Sequence, residues 1–547
     1  MLKLYRKKLK QQEEEKNPIE DFQTTTVTAQ TSLDVLSDSV KKDQISITDD
    51  DVSSISNNSK WQDPTYFKSS WQEYTFIGTC MLANLLNQAG QTQTLSTMNV
   101  LADSLNSDGA AKTWLMASFT LASGSFILVS GRIGDIYGLK ATFIGGNIIF
   151  CIWSILCGVS KYTENVTFFI ICRAFQGLGV AFVLPNVMGL VGNIYNVGSM
   201  RKNIVISFIG CMAPVGQTFG GMWGGLIVDS NKDQWPWIFF ATAIAVFINL
   251  IMGIYSIPNH VPTNIYNLKM DWIGSLLGVI GLILMNFVWN QAPISGWSKA
   301  YIIVILIVAV FFLVAFFIYE LKKAESPLLP PEVTKNRHIV TIIISLFLGW
   351  GAFGIWTFYY YAFNLNLRHF SPLWAGSTHF VFIIFGSLTA ITVAFTINKV
   401  GPSVLFCLSS IGFTCGNIIF SVTSPDQTYW RNSLGMQIIL ALGMDLSFPG
   451  SSIILSDLLP MQYQGMSGSL VNTITNYATS LCLGMGTTAE VQYNNGGKDV
   501  LKGYRAALYV AIGLGALGFA FSFSYMAEDL WIRYRKRRQN EKKEDKC

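Results

Sequence analysis

The chain has 547 residues, 51% of them hydrophobic and 13% charged, with a mean hydropathy of +0.39. A soluble domain carries about a quarter charged residues, so a soluble multidomain protein is excluded. The net charge of +5 is unevenly placed and points to no nucleic-acid partner.

In chain order, residues 1–68 are polar and charged, with few large apolar groups. They cannot bury enough surface to offset ordering entropy, and they read as a disordered cytosolic tail. No cleavable signal peptide is expected from so polar a start. Apolar runs of about 20 residues, the length that crosses a hydrocarbon core, then recur. They lie at about 72–97, 113–130, 140–158, 166–188, 203–228, 236–257, 271–291, 301–320, 338–363, 373–397, 402–423, 431–456, 465–487 and 504–526, fourteen in all. The expected class is an all-α polytopic membrane protein.

An even count puts both tails on one side. Lys/Arg bias sets which side. The last span is followed by WIRYRKRRQNEKKEDK, and the loop at 320–337 carries Lys322, Lys323, Lys335 and Arg337. Both mark the cytosolic face. The Asn165-Val-Thr sequon then lies outside, beside a helix start. Eight cysteines fall inside apolar runs and Cys547 ends the chain. They read as small buried hydrophobes, with neither disulfide nor metal expected.

The first span is read as amide-rich and without a carboxylate. Asn84, Asn87, Gln88 and Gln91 recur at three- and four-residue spacing and share one helix face. Amides donate and accept without charge, which suits a small neutral solute; interhelical bonding is the alternative. GRIGDIYGLK, residues 131–140, joins the second and third spans. It matches neither G-x-G-x-x-G nor G-x-x-x-x-G-K-[ST], and no nucleotide site or other cofactor is read anywhere. Arg173 lies in the fourth span as a fixed cation, either sensing proton or substrate movement or tying carbonyls of the first span. In the ninth span, Trp356 and Tyr360 line a cavity or pack. His379 reads as a relay or an interior histidine. Asp445 is the lone carboxylate deep in a span of the second half. It reads as a proton carrier, or as a bonded group beside the helix break at Pro449.

G-x-x-G-D-x-x-G-x-K in that loop resembles the signature of the major facilitator superfamily. ICRAFQGLGVAFVLPN and GCMAPVGQTFGGMWGG, at residues 171–186 and 210–225, are similar to its fourth- and fifth-span elements. WQDPTYF, LLNQAGQTQTLSTMNVL, KNIVISFIG, MDWIGSLLGVIGLILMNFVWNQAPISGW and GMDLSFPGSSIILSDLLPMQYQG resemble the fungal aminotriazole-resistance and boron-efflux transporters of its 14-span drug:proton antiporter branch. The resemblance implies two six-helix bundles, at 69–258 and 338–526, with a two-helix insert and its loops at 259–337 and a basic tail at 527–547. INKVGPS, at 397–403, is a degenerate second copy of the signature. The resemblance also implies a conformational-switch loop (Gly131, Arg132, Gly134, Asp135, Gly138, Lys140) and helix-bending positions at Pro214, Gly220 and Gly221. The expected protein is a monomeric secondary transporter, not an enzyme. It would sit in plasma-membrane lipid, or in the vacuolar membrane, and export a small polar solute against protons.

Overall fold

In the computed structural model, residues 66–107, 112–195, 199–261, 269–459 and 464–544 are described. The tail read over 1–68 lies outside them except for its last three residues. The described residues contain no strand and hold fourteen helices of twenty residues or more. These are α1 (Ser70–Thr92), α2 (Trp114–Tyr137), α3 (Leu139–Val159), α4 (Val166–Ile194), α5 (Met200–Ser230), α6 (Pro236–Ser256), α7 (Trp272–Ser295) and α8 (Ala300–Lys322). The others are α9 (Arg337–Asn366), α10 (Phe380–Val400), α11 (Pro402–Ser421), α12 (Ser433–Leu458), α13 (Gln464–Tyr493) and α14 (Val500–Glu544).

Local chemistry sets their starts. The side chains of Ser69, Asn165, Ser199 and Asp271 accept backbone N–H bonds from the first turns of α1, α4, α5 and α7. Pro236 and Pro402 open α6 and α11, where a missing N–H costs nothing. The Asn165 cap engages Oδ1 of the sequon residue with the amides of Thr167 and Phe168.

α1 to α6 pack among themselves, as do α9 to α14. α7 and α8 form an antiparallel pair between them in sequence, and α7 also lies against α2 and α13. α8 shows most of its apolar surface outward, with Ile303, Ile307, Phe311 and Phe317 all exposed. In water that surface would be prohibitive; against lipid it is the expected one.

Twelve helices, all but α1 and α13, are long and apolar enough to cross a membrane. α1 and α13 fall short because amides, hydroxyls and glycines interrupt their apolar residues. These two polar helices meet. Gln91 Nε2 donates to Asn476 Oδ1 at 3.4 Å, joining chain positions 385 residues apart.

Candidate transport pathway

The amide face of α1 divides on inspection. Asn84 Nδ2 donates to the Ile209 carbonyl of α5 at 2.7 Å, a bond between neighbouring helices. Gln91 reaches α13. Asn87 is buried, and its Oδ1 has no partner among the described residues. Gln88 is half-buried. A buried amide oxygen without a donor costs about 1–3 kcal/mol unless something supplies one. The neighbouring Gln93 accepts from Thr242 of α6 at 2.8 Å.

Glycines bring α5 against this helix. A Cβ on Gly216, Gly220 or Gly224 would run into the backbone of Leu85, Ala89 or Gln93 respectively. Gly221, one residue on, faces the other way, toward the Tyr361 hydroxyl and Gly376 beyond α9. Thus α5 is seated on α1 by one stripe and on the second bundle by another. Pro214 lies in the middle of α5, and Pro449 within α12.

Arg173 is fully buried. Its Nη2 donates to the Gly90 carbonyl at 2.8 Å, and its Nε to the Leu115 carbonyl at 3.3 Å. Nη1 donates to Gln176, and the guanidinium stands 4.6 Å from the Phe119 ring centre. Gln176 passes the chain on to Ser154 at 2.7 Å. Each of these partners lies in α1 to α4. The arginine ties α1, α2 and α4 together, and its bonds among the described residues stay within the first bundle.

Asp445 sits where the two bundles touch. It is 9% exposed, and its Oδ2 has no hydrogen-bond partner among the described residues. A Cβ on Gly386 of α10 would lie 2.7 Å from that oxygen and 2.8 Å from Pro214 Cβ. The carboxylate, the α10 backbone and the α5 proline therefore crowd one point on the seam. One helical turn or more away, Thr218 of α5 donates to the His379 carbonyl at 2.8 Å.

The structure places Trp356 and Tyr360 in a closed aromatic cluster rather than beside the α1 amides. Both are fully buried. The Trp356 indole donates to Met436 Sδ at 2.8 Å, and Tyr360 to Thr378 at 2.9 Å. His379 stacks on Tyr361 at 4.7 Å within the same cluster.

The signature loop forms the last turns of α2 and the start of α3. Gly138 makes the reversal at φ +120°, a backbone that side chains with a Cβ rarely adopt. Lys140 Nζ donates to the carbonyls of Ile254 and Ile257 and to Asn259 Oδ1, at 2.6–2.8 Å, at the C-terminal end of α6. Such a cation suits a helix C-terminus. Gly131 and Gly134 are close approaches: a Cβ would meet Ser469 Oγ at 2.7 Å at the first, and overlap Asn186 Oδ1 at the second. Arg132 and Asp135 share a small cleft with Leu328, Met466 and Ser469.

The first span does hold a carboxylate, which corrects the reading above. Glu73, in the first turn of α1, is 3% exposed. It accepts from Tyr195 at 2.9 Å and pairs with Arg201. Glu73 is a structural tie near a helix end, and its first-turn position makes it resemble an interfacial residue. The signal for Asn476 is its four-residue spacing from Asn472 on α13, the same face-sharing pattern as the α1 amides but diluted by Ser and Thr.

A family model for the major facilitator superfamily matches residues 80–270 and 265–483. The chain belongs to that superfamily. It is 60% identical to the aminotriazole resistance protein of Saccharomyces cerevisiae over 87% of this chain and 88% of the relative. It is 36% identical to that organism's low affinity ammonium transporter, over 92% and 96%. A crystal structure of a peptide transporter in complex with sulfate aligns with a TM-score of 0.59 at 15% identity, over 86% of this chain and 98% of the other, which shows the shared fold. This chain is a polytopic membrane transporter.

Proposed function

We propose that the transporter exports small polar, uncharged solutes by alternating access, with proton exchange at Asp445. The observation that carries the reading is the position of that carboxylate. It is buried, its Oδ2 has no bonding partner among the described residues, and it is pressed against Gly386 on the same point as Pro214 of the opposite bundle. Its protonation would alter the cost of closing the seam. A ligand shifts a two-state equilibrium only through such differential interaction.

The α1 face supports the solute class. Asn87 offers an unmatched acceptor, Gln88 stays partly open, and Gln91 spans to Asn476 of the other bundle. Boric acid and aminotriazole-like solutes have that chemistry, and the name of the 60%-identical relative agrees. Arg173 supports this face by holding Gly90 and, with it, the α1 backbone. We place α1 and α13 as spans, giving fourteen, with both tails cytosolic in the plasma or vacuolar membrane.

The test is boric acid flux in sealed vesicles holding the purified protein, with and without a pH gradient, beside protein-free vesicles. Uphill flux driven by the gradient is expected, and Asp445→Asn should abolish the drive while leaving the protein in the membrane. Flux that runs only downhill would replace the antiporter by a facilitator, the reading favoured by the amide face and the ammonium-transporting relative.

A further inference from the structure

The insert reaches the signature loop through a short strap. α8 ends near Glu320, which is 4% exposed. Its Oε1 accepts from the Leu328 amide at 3.2 Å and its Oε2 from the Leu329 amide at 3.3 Å. The two residues just before, Ser326 and Pro327, offer their carbonyls to Arg132 Nη2 at 3.5 and 3.4 Å. Residues 323–330 are thus held by the insert on one side and by α2 on the other. Leu328 lines the cleft that Arg132 and Asp135 share with Met466 and Ser469 of α13. The strap lies over the place where the two bundles meet.

A second carboxylate stands behind the first. Asp271 Oδ1 caps α7 by accepting from the Gly274 amide at 2.9 Å. Its Oδ2 is buried and makes no hydrogen bond of ordinary geometry among the described residues. A Cβ on Gly274 would meet both Asp271 Oδ2 and Glu320 Oε1, so the two carboxyls crowd the same side of that glycine, within reach of each other. One proton between them would satisfy the bare oxygen and leave Glu320 anionic toward the strap amides. The other charged or titratable groups nearby are Tyr319 on α8, Arg132 on α2, and Glu325 of the strap, which pairs with Lys269 at 3.0 Å in solvent.

We propose that Asp271 and Glu320 form a proton-sharing clamp that positions Arg132 through the strap, making the insert a pH-sensitive lock on the α2–α13 junction. Removing the shared proton sets two anions against each other beside Gly274, and the strap loosens. Glu320 and Asp271 are positioning residues: they touch the strap and each other, and they act on the α2–α13 junction only through Arg132. The clamp rests on the alternating-access reading for its effect on flux alone.

The test is amide hydrogen exchange of the purified full-length chain in detergent across pH 5–8, corrected for the intrinsic rate. Glu320→Gln should speed exchange at Leu328 and Leu329 by about 10-fold or more, and also raise it over residues 132–138, since hydrogen-bonded amides exchange through local opening. Asp271→Asn supplies a permanent donor to Glu320. It should keep the strap protected while removing the rise in exchange with pH that the unaltered chain shows. An unaltered strap in Glu320→Gln, or a freed strap with residues 132–138 unchanged, overturns the proposal. So does an Asp271→Asn profile that still follows pH. Should Glu320→Gln fail to fold, the Asp271→Asn profile decides alone. Exchange needs no solute: a free strap beside intact proton-driven flux sinks the clamp alone, and a pH-sensitive strap beside absent flux sinks only the transport reading.

Discussion

Between α2 and α3 the chain reverses on Gly138, at φ +120°; between α10 and α11 it reverses on Gly401, at φ +94°. In both, the glycine N–H donates to the carbonyl four residues earlier, Gly134 or Ile397, at 3.0 Å. The side chains around this common backbone differ at almost every position. Two residues past the glycine, Lys140 binds the C-terminal end of α6, whereas Ser403 Oγ donates to Asp529 of α14 at 2.5 Å. These are the last helices of their respective bundles, so equivalent positions donate to equivalent helices, with the charge on the turn in one case and on the helix in the other. The first turn carries its own charge. The second borrows from α14, whose Arg533 lies against Gly401 and pairs with Asp529 at 3.0 Å. A repeat can therefore keep its geometry while its charged residues move to another element.

The sharpest way to break this comparison is to exchange residues between the copies. Gly134→Ile installs the residue found at the matching position of the second turn. Its Cβ would overlap Asn186 Oδ1, and Asn186 is fully buried. Ordinary overpacking costs about 1–3 kcal/mol, and this overlap is worse. Monodisperse protein extracted from membranes should be nearly lost, and Asn186→Ala should restore part of it. A wild-type yield would mean that α2 and α4 can separate at no cost.

The converse, Ile397→Ala, should cost about 2–5 kcal/mol as a buried deletion. Ile397 is 9% exposed and packs in a cluster with Val393, Leu405 and Leu446. A fall in melting temperature in detergent checks it. An unchanged melt would show that the second turn needs no large side chain at this place, as the first does not.

Backbone strain should be the shared term. Gly138→Ala and Gly401→Ala each force a Cβ into a region that costs about 1–3 kcal/mol. At Gly138 nothing lies within 4 Å of the added atom; at Gly401 it meets Arg533 Nη1 at 3.0 Å, the end of a flexible side chain. The two melting shifts should therefore agree closely. A much larger shift at Gly401 would show that Arg533 is rigidly held and that α14 locks this turn.

Much of the scaffold was legible because it rests on local pattern. Apolar length marks the twelve strongly apolar helices, and glycine marks both reversals. α1 and α13 fall below the same apolar criterion because their polar groups face another helix, which local composition cannot express. The site was less legible for the same reason. Arg132 meets a carbonyl 194 residues away, and Glu320 grips amides eight and nine residues on, beyond any helical period. An aromatic run such as that around Trp356 reads alike whether it lines a cavity or fills a core. Only the neighbours, Met436, His379 and Phe382, place it in packing.

The smallest expected effects concern the two borrowed or owned charges, and they decide how the repeat is fastened. Lys140→Met removes one donor from three acceptors at the end of α6. Hydrogen bonds to a charged group are worth about 1.5–3 kcal/mol, and partial exposure here places the loss at the low end. Ser403→Ala removes one hydroxyl, while Asp529 keeps its pairing with Arg533. That loss should be about 0.5–1 kcal/mol. Thermal melts at low and high salt would separate them: Lys140→Met should shift the melt more, and Ser403→Ala should approach it only when salt weakens the Asp529–Arg533 pair. The opposite order would mean that the second turn depends on α14 more than the first depends on its own lysine. Asp529 and Arg533 of α14 would then be the fastening of the second turn.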